Sequence, residues 1–116
     1  MTAGGPRYIY RSGPRTPMNL TPRPDVDTAH DPKGLSTFDE PGMAAPRGGK
    51  VQVIDTARLQ SLRLVHDPDD AHHITIRPES QGELDEWAAS RGREDYVHPL
   101  TRELQQAIID ERRVTR

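Results

Sequence analysis

Two short runs carry the residue types that could hold a phosphate and polarise a bond beside it. They are Tyr8-Ile9-Tyr10-Arg11 and Gly34-Leu35-Ser36-Thr37-Phe38. A guanidinium at a strand end, here Arg11, can meet phosphate oxygens in two-point fashion. Ser36 and Thr37 offer two hydroxyls between apolar anchors. The segment between the runs, residues 12–32, is rich in proline and arginine and offers little to a core. A long irregular stretch fixed at both ends by ordered motifs is the usual setting of a functional loop.

The histidines supply the other candidate chemistry. They are His30, His66, His72, His73 and His98. His72 and His73 are adjacent, so on a strand they point to opposite faces and cannot share a metal from that strand. His66 and His72 flank a turn with three aspartates, an oxygen and nitrogen set without a recognised ligand spacing, and no metal is expected. Acid–base cleavage of RNA needs a base, an acid and a cation near the phosphate. His72 or His73 with Arg11, Arg23 or Arg77 supplies those types. The structural alternative makes one of the paired histidines a half-buried strand residue and leaves the other exposed. Ser36 has no G-x-S-x-G context, and no phosphate-cradling glycine loop is present. The chain has no cysteine, which excludes disulfides, thiolate chemistry and cysteine-based zinc.

The elements that must position these residues follow from pattern. Eight of the 11 prolines and seven of the nine glycines lie in residues 1–50, so that half cannot be mostly helical. Residues 7–11 alternate and predict a strand, and residues 35–38 a second. Residues 41–49 read as a loop. Strands are expected over 50–55, 62–66 and 72–77, with a helical turn near 56–59 and a turn at 66–70. Ser80 and Glu83 form a capping box that opens a helix with Leu84, Trp87 and Ala88 on one face and Gly92 at its end. A last helix starts near Pro99 with Leu100, Leu104, Ala107 and Ile108 as its stripe. The expected fold is α+β, a small mixed or antiparallel sheet with two C-terminal helices on one side and a long Pro-rich N-terminal loop. One domain over 1–116 is expected, with strands and loops in 7–78 and two helices in 79–113.

Composition bounds the partners. Of the residues, 32% are hydrophobic and 4% aromatic, with a mean hydropathy of −0.86, so the core must be thin. The net charge of −2 implies no partner. Residues 1–24, however, hold Arg7, Arg11, Arg15 and Arg23 and no acid, a cationic start able to face phosphates. No run approaches membrane-spanning length and the first residues are not a signal peptide, so the chain reads as soluble, without a membrane partner.

Tyr10-Arg11 followed by Ser36-Thr37 resembles the arginine and Ser-Thr-Ser elements of bacterial ADP-ribosyltransferase toxins. The longer series Tyr10-Arg11, Leu20-Thr21-Pro22-Arg23 and His73-Ile74-Thr75-Ile76-Arg77-Pro78 resembles C-terminal toxin domains of large secreted bacterial proteins. The resemblance implies NAD as cofactor, bound in a cleft of a split sheet. Arg11, with Arg23, would pair with its phosphates. Ser36 and Thr37 would hold the cleft wall, and Phe38 would pack on the nicotinamide. It also implies a catalytic glutamate. No Glu-x-Glu or Gln-x-Glu follows a strand here, and Glu79 is the best-placed candidate. Such a domain would belong to an exported toxin acting in a target-cell cytoplasm, with an immunity protein as partner. Two readings stand beside it: a metal-independent RNase using His72 or His73 with arginines, and a non-catalytic module that presents the Pro/Arg loop to a protein.

Overall fold

The computed structural model describes residues 5–29 and 31–115. His30 lies outside them. Six strands form one antiparallel sheet: β1 (Tyr8–Ser12), β2 (Leu35–Phe38), β3 (Gly49–Asp55), β4 (Arg63–Asp67), β5 (Asp70–Arg77) and β6 (Ile108–Val114). Three helices, α1 (Pro41–Ala44), α2 (Gln81–Ala89) and α3 (Pro99–Ala107), and a 3-10 turn at Thr56–Arg58 complete the elements. The architecture is α+β, and among the described residues no helix is long and apolar enough to cross a membrane.

Across the sheet the order is β4-β5-β2-β1-β3-β6. Its ladders are unequal. β1 and β3 pair through five residues, β2 and β5 through four. β1 and β2 are in register at Tyr10 and Phe38 alone. The sheet is thus two three-stranded halves, β4-β5-β2 and β1-β3-β6, joined by a one-pair seam.

Alternation along the strands sends Ile9, Leu35, Ile54, Ile74 and Ile76 to one face, where they meet Leu84, Trp87, Leu100 and Leu104 of α2 and α3. Trp87 is wholly buried, on the helix face it was expected to share with Leu84 and Ala88. The other face carries a smaller cluster of Ala44, Ala45 and Val51 with Tyr10, Phe38 and Val114. There, residues 41–44 form the short α1 instead of the expected loop.

The largest departure is at the C-terminus. Helix α3 stops at Ala107, and Ile108 begins β6, which pairs with β3 over Gly49–Ile54. Ile108 was expected in the helical stripe, and the helical region was expected to run to 113. The run Ile108-Ile109-Asp110-Glu111-Arg112-Arg113 gives no alternation, because β6 is an edge strand with charged residues on most positions. The capping box is also altered. Ser80 Oγ accepts from the Glu83 N–H at 3.1 Å, but the Glu83 carboxylate accepts from the Ser80 hydroxyl instead of reaching the backbone.

Loop 13–34 is anchored by a buried hydroxyl. Thr101 Oγ1 accepts from Trp87 Nε1 at 2.8 Å, lies 2.7 Å from Thr21 Oγ1 and donates to the Leu20 carbonyl. Leu20 itself is fully buried beneath the loop. Replacing Thr101 by valine keeps the shape but strands the indole N–H and the Leu20 carbonyl. We expect Thr101→Val to cost about 2–3 kcal/mol in urea unfolding. Proteolysis near residues 17–21 should accelerate with it, and an unchanged unfolding midpoint would show that this hydroxyl does not hold the loop.

Candidate functional site

The seam between the sheet halves is where the two opening motifs meet. Arg11, at the end of β1, reaches across it. Its Nε donates to the Asn19 carbonyl and its Nη1 to the Ser36 carbonyl, both at 2.8 Å. Burial pulls the guanidinium down to about 10, so it stays cationic at neutral pH. Asn19 ties the loop back through Nδ2 to the carbonyls of Ser12 and Pro14. One arginine therefore fastens β1, β2 and the loop together.

Gly34 sets how closely the loop enters β2. It has φ +148°, and a Cβ there would stand 2.5 Å from the Ile76 carbonyl oxygen and 2.6 Å from Thr75 Cγ2. Only glycine admits that approach of backbone to β5. Ser36 is thereby set directly opposite Thr75 in register, with His73 two residues away on the same face of β5.

Ser36 Oγ lies 2.9 Å from His73 Nε2, and His73 Nδ1 lies 2.9 Å from an oxygen of Asp67. The other oxygen of Asp67 accepts from the Asp69 N–H at 2.8 Å, a short local turn that holds the carboxylate. The Asp69 backbone N–H and His73 together hold the Asp67 carboxyl below the usual aspartate range. The result is a serine–histidine–carboxylate chain built from three strands, β2, β5 and the end of β4. Phe38 supports it, with its ring 5.2 Å from that of His73.

A cleft of about 300 Å³ opens beside this chain, lined by Arg23, Asp27, Asp31, Ser36, Asp67 and His73. Its wall carries three carboxylates against one guanidinium. The guanidinium is engaged, since Arg23 meets Asp27 at 3.3 Å.

The sequence candidates divide sharply. Ser36 and His73 share the cleft, and Arg11 braces it from behind through the Ser36 carbonyl. Thr37 turns the other way; it is fully buried and its hydroxyl donates to the Ile74 carbonyl. Phe38 packs in the small apolar cluster against His73. Arg77 spends its guanidinium on the carbonyls of Pro78 and Lys33. Glu79 corrects an expectation: it lies past β5, its side chain is 84% exposed, and it meets Arg63 at 3.8 Å. It has no partner in the cleft. His72 points away from His73, as adjacent strand residues must. Its ring meets Asp39 at 2.9 Å and Glu40 at 3.3 Å, and Asp39 raises its pKa. These three side chains, with ligand atoms within 4.8 Å of one another, are the described residues best grouped to hold a cation, not the pairing of His66 with His72.

Asp67 and Asn19 were not singled out from sequence. Asp67 had a signal. It sits at the turn of a hairpin six residues before His73, so pairing β4 with β5 brings the two together. Asn19 had none, since it lies in an irregular loop and bonds only main-chain carbonyls and, through its own carbonyl, Arg11.

The depressed Asp67 carboxyl carries a pH signature. Its folded value lies below the ordinary 3.8, so its stabilising effect is full above that value and is lost as pH falls through the lower, folded one. The gap in urea midpoint between the wild type and Asp67→Asn should be widest near neutrality and close at the acid end. A gap that stays constant with pH would contradict this coupling. Compared with family models, curated proteins and solved structures, the chain matches none.

Proposed function

We propose that this chain is a toxin-like enzyme domain that breaks the glycosidic bond of NAD, transferring ADP-ribose or releasing it to water. The observation that carries the reading is the one-pair seam between β1 and β2, spanned by Arg11 to the Ser36 carbonyl. The arginine of one motif against the serine of the other, at the weakest pairing of the sheet, supports the reading, since the resemblance to ADP-ribosyltransferase toxins implies a cleft in a split sheet.

The electrostatics favour one orientation. The cleft wall is acidic, which suits the pyridinium of NAD and the positive charge that develops on the ribose carbon as the bond breaks. Phosphates are repelled there. They would lie toward Arg11, whose Nη2 has no partner among the described residues. A volume of about 300 Å³ is at the small end of ligand sites and fits the nicotinamide ribose better than a whole dinucleotide.

One observation favours a second reading. His73 is held on both ring nitrogens in a cleft that also contains an arginine, which is the equipment of a metal-independent RNase.

The two separate in solution. NAD at millimolar concentration should raise the melting temperature, as a ligand that binds only the native state must. Free nicotinamide should accumulate, and Arg11→Lys, which cannot fork between two carbonyls, should lower both responses. A folded protein with no thermal shift and no nicotinamide release would defeat the reading. Cofactor-free degradation of RNA would replace it with the second.

A further inference from the structure

We infer that Ser36, His73 and Asp67 form the proton relay of this site, with His73 as the catalytic base and a hydroxyl or water as the acceptor. The inference rests on the NAD reading and supplies what that reading lacks, a group to act where Glu79 does not.

For a neutral imidazole the geometry fixes the protons. The Asp67 carboxylate can only accept, so His73 Nδ1 carries the hydrogen between them. Nε2 is then the acceptor, and the Ser36 hydroxyl donates to it. The Ser36 oxygen keeps its lone pairs for the cleft. An acceptor hydroxyl placed there donates to Ser36 while Ser36 donates to His73.

The step balances. The acceptor oxygen bonds to the ribose carbon as the bond from that carbon to the nicotinamide nitrogen breaks. The bonding pair stays on nicotinamide and neutralises its positive charge. The acceptor's proton passes to Ser36, and the Ser36 proton passes to His73 Nε2. The imidazolium forms against Asp67, which remains ionised and stabilises it.

The parts are rigid before any ligand arrives. The side chains of His73 and Asp67 are 17% and 18% exposed. Phe38 packs beside the ring at a 45° tilt, the Asp69 N–H holds the carboxylate, and the Gly34 approach fixes β2 against β5. The hydroxyl of Thr75, opposite Ser36 in register, is buried with no partner among the described residues, so it does not compete for His73. A histidine so held activates an oxygen–hydrogen bond, which is why the acceptor is assigned to that class.

The test uses His73→Gln, Asp67→Asn and wild type, each checked for cooperative unfolding. NAD should still shift the melting temperature of both variants. His73→Gln should lose nicotinamide release by about 100-fold or more through kcat, with KM for NAD little changed. Asp67→Asn should fall at least about tenfold and lose the low-field imidazole N–H proton resonance of the wild type. With methanol added, the wild type should form O-methyl ADP-ribose at the expense of hydrolysis. Undiminished release by a folded His73→Gln protein overturns the relay and leaves NAD cleavage standing. Wild type that neither binds nor cleaves NAD overturns both. Ester hydrolysis with acylation of Ser36 would also overturn it, because Ser36 would then be a nucleophile and not a conduit.

Discussion

Arg11 stands where the sheet is weakest. Two three-stranded halves meet through a single residue pair, far less than the four to six pairs that hold neighbouring strands elsewhere. The gap is closed by a guanidinium that gives its hydrogens to two main-chain carbonyls, one on β2 and one in the loop. A charged donor on a neutral acceptor contributes about 1.5–3 kcal/mol, and burial without a carboxylate partner subtracts from that. The two nearly offset. What remains is geometric: β1, β2 and the loop cannot move apart without unmaking both bonds. The placement of Ser36, and through it His73, depends on that brace.

The rest of the site is positioned by rules that hold in any sheet. A tight hairpin brings Asp67 and His73 to the same end, a glycine lets the loop enter against β5, and alternation puts Ser36 on the cleft side and Thr37 in the core. The acidic lining comes from the loop and from the hairpin turn. It gives the cleft a sign opposite to that suggested by the arginine-rich start of the chain. Two of those arginines are spent on acids outside the segment, Arg7 on Asp55 and Arg23 on Asp27. Net charge along a segment is a weak guide once side chains find partners beyond it.

Much of the fold was legible because its signals are local. Leu35–Phe38 begins and ends where the sequence places it, and the strands at 50–55 and 72–77 extend by only a residue or two. The face of α2 with Leu84, Trp87 and Ala88 is buried as expected. The final strand was not legible, because an edge strand with a charged exterior lacks both the period-two pattern and a breaker before it. At the site, Arg11, Ser36 and His73 were nominated by residue type alone. That they belong together depends on strand order, which no local pattern encodes. Glu79 was nominated by distance along the chain, and it fails because the strand ends before it and turns it to solvent.

The hydroxyl bridge between Thr21 and Thr101 joins residues 80 positions apart. A chain emerging from its N-terminus makes the arginine, the loop and the serine first, yet the loop cannot bury Leu20 or satisfy its carbonyl until the helix bearing Thr101 is in place. The loop's hold on Thr101 is therefore among the last contacts to close. A polypeptide still on the ribosome carries Arg11 and Ser36 before the helix that anchors the loop between them.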